Sequence, residues 1–274
     1  MSESDLARRT IRDFGEQWTV YQDNGGYYGS PALFADVLGP LVGTLPLTGA
    51  RVADIGAGTG RFVRVLLEAG AAHVVAVEPS EAFQVLQRNT ADLQDRVTYL
   101  KVPGDQLPAD GQLDVVFSYG VIHHIPEPAP VMKAAWRALR PGGKCAVWLY
   151  GREGNRAYLL ALGALTAVTR RLPHALLVLV SWLLYGPLLL YMELCRHVSA
   201  PLGGYLREVF ARLTPDKRRL VIYDQLNPAY ARYYTREEAR TLLEEAGFVD
   251  VQLYHRHGYS WTAVGTRPGG TVGR

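Results

Sequence analysis

Four residues at alternate positions, Asp54, Gly56, Gly58 and Gly60, carry the strongest chemical signal in the sequence. They follow an apolar run that is predicted to be a strand and precede a predicted helix. Glycines at such a turn let the backbone approach a ligand closely, and the helix N-terminus offers free N–H groups. A dinucleotide-binding turn would need glycine where Arg61 stands. Because Asp54 would repel a pyrophosphate, the pattern favours a ligand that carries an ammonium group.

Two further acidic residues follow later predicted strands. Glu78 ends the second strand, and Asp105 follows the third. Ligands of open parallel sheets bind outside the carboxyl ends of the strands, so these acids are expected at the same edge as the glycine-rich turn.

Alternating strands and helices between residues 51 and 150 must position these groups. The predicted strands are Arg51–Ile55, His73–Val77, Val97–Val102, Leu113–Ser118 and Lys144–Tyr150. The predicted helices are Gly60–Gly70, Ser80–Leu93 and Ala129–Leu139. Continuous apolar runs indicate strands covered on both faces, and the alternation indicates parallel βαβ units in an open, doubly wound α/β sheet.

The remaining parts of the chain flank and interrupt this unit. Residues 1–50 are predicted to form an aromatic N-terminal lid and a helix that begins at Pro31. Residues 151–234 interrupt the alternation of strands and helices and are predicted to be a helical insertion. The alternation resumes with a predicted helix at Thr235. It is followed by two predicted strands joined by a tight turn, Phe248–Tyr254 and Ser260–Gly265. We therefore expect residues 51–150 and 235–268 to form one core with a seven-stranded, mostly parallel sheet and an antiparallel last strand.

The order of these motifs resembles that of the class I S-adenosylmethionine-dependent methyltransferases. Residues 54–60 match the family's D-x-G-x-G-x-G motif. Three later segments, Phe117–Pro126, Arg140–Lys144 and Glu245–Val251, also fall in the family's order. The resemblance covers residues 50–150 and 235–268. It implies a Rossmann-like fold with S-adenosyl-L-methionine as cofactor and a helical insertion that caps the site.

The resemblance also assigns the cofactor to particular residues. Asp54 and the glycine-rich turn would hold the methionine portion, Glu78 the ribose and Asp105 the adenine amino group. The complete set of expected cofactor-binding residues is Asp54, Gly56, Ala57, Gly58, Gly60, Glu78, Pro79, Asp105, Gln106 and Tyr119.

Two histidines and a tyrosine-rich segment are the candidates for catalysis and acceptor binding. His123, at the end of the fourth strand, could act as a base near pH 7, or the two histidines there could only shape the turn. Residues 223–234 could line a pocket for an aromatic or anionic acceptor, or form an aromatic hinge. The predicted catalytic residues are His123 and Tyr230. The predicted substrate-contacting residues are Tyr27, Tyr28, His124, Tyr230, Arg232, Tyr233, Tyr234 and His255.

Leu172–Met192 is a stretch of 21 residues without a formal charge, preceded by arginines at positions 170–171. Its length could span a bilayer. Pro173, Gly186 and Pro187 predict instead that the run is interrupted. We expect a soluble cap over an apolar pocket or an interface in a homodimer. A helical hairpin lying on a membrane surface is the alternative.

Composition and charge exclude several other classes of protein. The net charge of +3 is too small to indicate a nucleic-acid partner, although residues 151–235 contain 11 Lys and Arg against 5 Asp and Glu, a net charge of +6. Cys145 and Cys195 are the only cysteines, which excludes a disulfide framework and a cysteine-based zinc site. No set of carboxylates with metal-ligand spacing is visible, so we expect no metal. The first residues show no secretory signal, and the expected location is cytoplasmic, with peripheral membrane contact as the alternative.

The sequence therefore predicts methyl transfer to a small, largely apolar or aromatic molecule, as in natural-product tailoring. A membrane-associated quinone or lipid methyltransferase is the alternative among enzymes. The alternative of another class is a scaffold or regulator that binds S-adenosylmethionine without turnover.

Overall fold

A computed structural model describes residues 2–169, 172–227 and 230–269, apart from the side chains of residues 174 and 175. Its centre is a seven-stranded sheet with the order β3-β2-β1-β4-β5-β7-β6. The strands are β1 (Arg51–Ile55), β2 (His73–Val77), β3 (Val97–Leu100), β4 (Leu113–Tyr119), β5 (Leu139–Tyr150), β6 (Val249–Arg256) and β7 (Ser260–Thr266). β7 is antiparallel to both of its neighbours, and the pairs among β1 to β5 are parallel. The predicted fold class is confirmed.

The α-helices cover both faces of the sheet and form a separate layer beyond its edge. They are α1 (Glu3–Val20), α2 (Pro31–Leu38), α3 (Arg61–Glu68), α4 (Ala82–Asn89), α5 (Ala129–Ala138), α6 (Arg156–Thr169), α7 (His174–His197), α8 (Gly203–Glu208), α9 (Pro215–Leu226) and α10 (Arg236–Glu244). α2 and α3 pack on one face, and α5 and α10 pack on the other.

Side chains of successive strand residues enter opposite cores, as the period of a strand requires. In β1, Val52 belongs to the core under α2 and α3, while Ala53 belongs to the core under α5 and α10. Val115 and Val116 of β4 divide in the same way. Both faces are therefore buried, which explains why the strands have continuous apolar sequences.

The predicted aromatic leader contains a helix, α1, that the sequence analysis did not predict. Its N-terminus carries a reciprocal cap, in which the Ser2 hydroxyl accepts from the Asp5 amide and the Asp5 carboxylate accepts from the Ser2 amide. Such a cap satisfies two N–H groups that the helix leaves without a partner. Its apolar residues Ala7, Ile11, Phe14 and Trp18 recur at helical spacing, a signal that the prediction of a lid did not use.

The insertion forms a third apolar cluster from α7, α8 and α9, against which side chains of the leader also pack. The expected interruption at Gly186 and Pro187 is wrong, because α7 continues through both residues, whereas Pro173 does stand just before the first residue of the helix. A proline removes one N–H, so a single carbonyl of the preceding turn loses its helical partner. Both residues are exposed, and water can satisfy that carbonyl. The arginines at 170–171 lie outside the described residues, and the division of the chain into three parts stays a prediction.

Candidate active site

The glycine-rich turn connects β1 to α3 and is anchored on the neighbouring strand β2. The amides of Gly56 and Ala57 both donate to the carbonyl of Val77, at 2.8 and 3.0 Å. Gly56 has a φ of +76°, and a Cβ there would lie 2.3 Å from a methyl group of Val121. The backbone conformation and the close approach of Val121 both require glycine at this position.

Glu78 is a buried carboxylate fixed beside this turn. One of its oxygens accepts from the Gly58 amide at 2.9 Å, and the other accepts from the amide and hydroxyl of Ser80 at 2.9 and 2.5 Å. These bonds hold the carboxylate in one orientation at the end of β2. Its side chain also lines the cavity described below. Because a carboxylate offers about four acceptor positions, Glu78 retains capacity for a bound ligand.

Asp54 lies at the carboxyl end of β1 and is buried. Burial raises the pKa of its carboxyl group to about 7, the nearby carboxylate of Glu78 acts in the same direction, and the guanidinium of Arg61 opposes the rise. A cationic ligand group next to Asp54 would favour the ionised form and reverse this shift.

A cavity of about 790 Å³ extends from this turn across the end of the sheet into the insertion. Most of the residues expected to bind the cofactor line it. These are Asp54, Gly56, Ala57, Gly58, Glu78, Pro79, Asp105 and Tyr119. Gly60 and Gln106 do not reach the wall. Gly60, with a φ of +83°, precedes the first residue of α3, and Gln106 is exposed in the turn that follows β3.

The leader closes one side of the cavity. Phe14 and Trp18 of α1 line it, and Trp18 lies over Gly58, where an added Cβ would be 3.7 Å from the indole nitrogen. Asn24 exchanges two hydrogen bonds with Thr59 of the turn, at 2.5 and 2.9 Å. The leader is thus tied directly to the glycine-rich turn.

Aromatic rings and a hydrogen-bond network form the opposite half of the cavity. Asp224 accepts from the Tyr150 hydroxyl at 3.2 Å and from the Gln17 amide group at 2.8 Å. Gln225 donates to the Tyr150 hydroxyl at 2.8 Å and accepts from Tyr158 at 2.6 Å. The rings that line this half are Tyr28, Tyr119, Trp148, Tyr150, Tyr158, Tyr205, Tyr233 and Tyr259. Leucine and valine side chains of α6, α7 and α9 complete the wall.

The two histidines after β4 occupy different environments. His123 is fully buried and packs among the rings of Trp148, Tyr150 and His124, and it does not line the cavity. Burial, with the adjacent His124, lowers the pKa of His123 well below its usual value. His124 does line the cavity, and its Nδ1 lies 2.8 Å from the carbonyl of Tyr230. Burial lowers the pKa of His124 as well.

Two of the remaining predicted substrate residues, Tyr28 and Tyr233, line the cavity. The side chains of Tyr27, Tyr230, Arg232, Tyr234 and His255 lie off its wall. Tyr27 donates to Asp36 at 3.1 Å, and Arg232 pairs with Glu238 at 3.2 Å. Tyr234 is buried in the core under α5 and α10. His255 stacks on Trp261 with ring centroids 4.1 Å apart.

Asp224 and Gln225 fall within residues 223–234, the segment expected to line an acceptor pocket, but neither is among the individual residues predicted for the site. Tyr158 and Tyr205 are missing from the predicted site altogether. They belong to helices of the insertion and match no motif. Within the described residues, no group of three or more His, Cys, Asp or Glu residues could hold a metal ion.

Residues 53–147 match a protein family described as Methyltransferase domain. The chain carries a methyltransferase domain. The resemblance to methyltransferases is thereby confirmed for this part of the chain. The match spans β1 to β5, the segment that contains the glycine-rich turn, Glu78 and Asp105.

Two curated relatives illustrate how far the sequence similarity extends. The chain is 32% identical over 134 residues to a ubiquinone biosynthesis O-methyltransferase of Ralstonia nicotianae, with 48% of this chain and 56% of the relative covered. It is 31% identical over 122 residues to a tRNA U34 carboxymethyltransferase of Idiomarina loihiensis, with 43% and 38% covered. The chain thus spans about half the length of the curated relatives it matches, or less.

Solved structures of methyltransferases share the fold over almost the whole chain. Magnesium protoporphyrin IX methyltransferase from Synechocystis aligns with a TM-score of 0.56 at 16% identity, with 97% of this chain and 100% of that chain covered. The 1,6-didemethyltoxoflavin-N1-methyltransferase of Burkholderia thailandensis aligns with a TM-score of 0.57 at 17% identity, with 98% and 91% covered. At this identity the likeness concerns the fold alone.

Proposed function

We propose that this methyltransferase acts on a small, largely apolar acceptor that carries an aromatic ring and one polar group. The continuous cavity carries this proposal, because its one end holds the acids and the glycine-rich turn and its other end is lined by rings and aliphatic side chains. Its volume of about 790 Å³ lies within the usual size of small-molecule sites.

The acidic end of the cavity fits S-adenosylmethionine. Asp54, Glu78 and Asp105 come from the ends of three adjacent strands and line one wall. This excess of carboxylates suits a ligand that is cationic at its sulfonium and ammonium groups. Glu78 would accept from a ribose hydroxyl at its remaining acceptor position, and Asp54 would face the ammonium. When bound, the cofactor supplies an electrophilic methyl group whose bond to sulfur breaks as the acceptor's nucleophile attacks, leaving the electron pair on sulfur.

The ring-lined end would orient the acceptor. The carboxylate of Asp224 and the hydroxyl of Tyr150 are held in fixed positions, where both can hydrogen-bond the polar group of the substrate. The ring of Tyr233 stacks on that of Tyr150, with ring centroids 5.2 Å apart. His124 is the candidate base. The Tyr230 carbonyl can only accept a hydrogen bond, so the Nδ1 of His124 must carry the hydrogen between them. The Nε2 of the neutral ring then has no proton and can accept one. His124 would therefore take over the catalytic role that the sequence suggested for His123.

A second candidate is an acceptor with a long apolar tail, such as a quinone precursor or a lipid. Aliphatic side chains of the insertion, Leu162, Leu165, Leu184 and Leu188 among them, line the part of the cavity beyond the rings. Similarity to a ubiquinone biosynthesis O-methyltransferase supports the same candidate.

Release of S-adenosylhomocysteine tests both candidates. We would assay the full chain with a panel of phenols and catechols that carry alkyl tails of increasing length. Turnover that increases with tail length supports the second candidate, and turnover that is best for compact rings supports the first. A protein that binds S-adenosylmethionine in calorimetry but turns over no member of the panel would favour the scaffold alternative. Glu78→Ala serves as the control for turnover by contaminating enzymes.

A further inference from the structure

The helix α7 is apolar around its whole circumference but is packed on one side only. Within the described residues it is the one helix long and apolar enough to cross a membrane, over Leu176–His197. Leu177, Ser181 and Cys195 are buried on its inner side. Of the most apolar 18-residue stretch of α7, only 11% is buried within the protein. A helix that is apolar all round is normally either enclosed by protein or in contact with lipid.

The outer side of α7 is a stripe of large apolar side chains. Leu176, Leu179, Leu183, Leu190 and Leu194 follow one another at intervals that place them on one helical face, and all are exposed. Leu183 and Leu190 are 68% and 76% exposed. From Leu176 to Met192 the sequence has no charged residue, so the uncharged stripe is about 25 Å long. Soluble proteins seldom expose an apolar surface of this extent without a partner.

Cationic and aromatic residues border this stripe. Trp182 is 54% exposed, and the guanidinium of Arg219 lies 3.9 Å from the centre of its ring. Arg196 and His197 are exposed in the last turn of α7, where both lie close to the carboxylate of Glu193. Tryptophan and arginine at the edge of an apolar surface are the residues that favour a membrane interface. The net charge of +6 over residues 151–235 is complementary to anionic headgroups.

The topology of the sheet decides between spanning and lying on a bilayer. β5 precedes the insertion and β7 follows it, yet the two strands are hydrogen-bonded neighbours. The chain must therefore return to the side from which it left. α6 has 14 residues, about 21 Å, which is too short to be the returning span. The inner side of α7 also packs on α8 and α9.

We propose that the outer side of α7 docks on an anionic phospholipid membrane, with the helix lying in the plane of the interface. The same helix borders the cavity, because Leu184, Leu188 and Tyr191 line it from the inner side. Pro187 is exposed and also lines the cavity, so the cavity wall and the docking surface meet there. An apolar acceptor dissolved in the bilayer would reach the cavity along α7. Membrane docking itself does not depend on the proposed reaction.

Flotation with vesicles of phosphatidylcholine and phosphatidylglycerol tests the docking. We expect the full chain to float with the vesicles, and to do so less as salt is added, because headgroup attraction is screened. The double variant Leu183→Gln with Leu190→Gln should bind at least about tenfold more weakly, since two large apolar side chains are lost from the contact. Val42→Gln, a change at another exposed apolar residue, is the matched control and should bind as the wild type does.

Two further measurements separate the competing outcomes. Brominated lipids should quench part of the tryptophan fluorescence, and Trp182→Phe should abolish that part while vesicle binding remains. The double variant should lose turnover of a vesicle-dissolved acceptor and keep turnover of a water-soluble one, because neither leucine lines the cavity. Failure of the wild type to float would overturn the proposal. So would a stable dimer in light scattering that the double variant dissociates, because α7 would then contact a second copy.

Discussion

The carboxylate of Asp224 accepts a hydrogen bond from the phenol of Tyr150 at 3.2 Å. This contact joins the end of β5 to the helix α9 of the insertion. Gln17 of α1 donates to the other oxygen of Asp224 at 2.8 Å. The sheet, the insertion and the leader thus meet at one carboxylate on the cavity wall. Burial and the charge of Asp224 raise the pKa of Tyr150 well above its usual value, so the phenol remains a proton donor.

Replacing Asp224 should weaken acceptor recognition more than cofactor binding. Asp224→Asn removes the charge and keeps the shape, so the hydrogen bond to a polar group of the acceptor loses charge assistance. We expect kcat/KM for the acceptor to fall about tenfold or more, from a loss of roughly 1.5–3 kcal/mol. Calorimetry should show nearly unchanged affinity for S-adenosylmethionine. Tyr150→Phe and the double variant complete a thermodynamic cycle, and strictly additive losses would contradict a coupled pair.

Two tyrosines of the segment after α9 form a matched pair, because Tyr233 lines the cavity and Tyr230 does not. Tyr233 also donates to Gln225 at 3.3 Å. Tyr233→Phe should reduce kcat/KM for the acceptor by roughly two- to tenfold, the cost of one hydrogen bond of about 0.5–1.5 kcal/mol. Tyr230→Phe should leave it unchanged, since His124 contacts only the backbone carbonyl there. The reverse order of effects would place the acceptor on the other side of this segment.

The core and most of the cofactor end of the cavity follow from local sequence. β1 and β2 have the predicted bounds, and the Asp54 to Gly60 turn lies where the strand–helix pattern placed it. These features can be predicted because the spacing of apolar residues over a few positions marks a strand or helix, and because few residues other than glycine tolerate the backbone conformation of the turn. His123 and His124 show the limit of this reasoning. They are adjacent in sequence, and only the packing of Trp148 and Tyr150 decides which of them reaches the cavity.

The acceptor end could not be predicted in the same way. Asp224 approaches Tyr150 from a helix that lies far along the chain, and Tyr158 approaches it from the helix that follows β5. Both contacts depend on how the insertion folds over the sheet. Pro187 shows a different limit. A proline usually interrupts a helix, yet apolar packing of α7 against α8 and α9 keeps this helix continuous.

Removal of the Glu78 side chain should weaken cofactor binding. Glu78→Ala takes away the acceptor for a ribose hydroxyl and also for the amides of Gly58 and Ser80. We expect affinity for S-adenosylmethionine to fall at least about tenfold, because charge-assisted hydrogen bonds are among the stronger ones. Glu81→Ala is the control, since Glu81 is an exposed acid three residues away that pairs with Lys101 at 2.8 Å. Equal affinities in both variants, with intact thermal unfolding, would contradict the role of Glu78.

The raised pKa of Asp54 predicts that cofactor binding depends on pH. Without ligand the buried carboxyl group titrates at about 7, and binding an ammonium group requires its ionised form. Affinity for S-adenosylmethionine should therefore fall by about tenfold for each pH unit below 7 and level off above it, with a proton released on binding in the acidic range. The ligand's amino group, with a pKa of roughly 8, stays charged throughout that range.

Calorimetry in buffers of different ionisation enthalpy measures this proton, and Asp54→Asn should abolish its release. Folding stability of the cofactor-free protein should show the opposite dependence. The folded pKa lies above the ordinary aspartate value of 3.8, so the contribution of Asp54 to stability is complete below 3.8 and is lost as the pH rises through about 7. The unfolding free energy of Asp54→Asn should therefore increase relative to that of the wild type as the pH rises from 3.8 to about 7. A constant difference, together with a pH-independent affinity, would mean that Asp54 is already ionised in the cofactor-free protein.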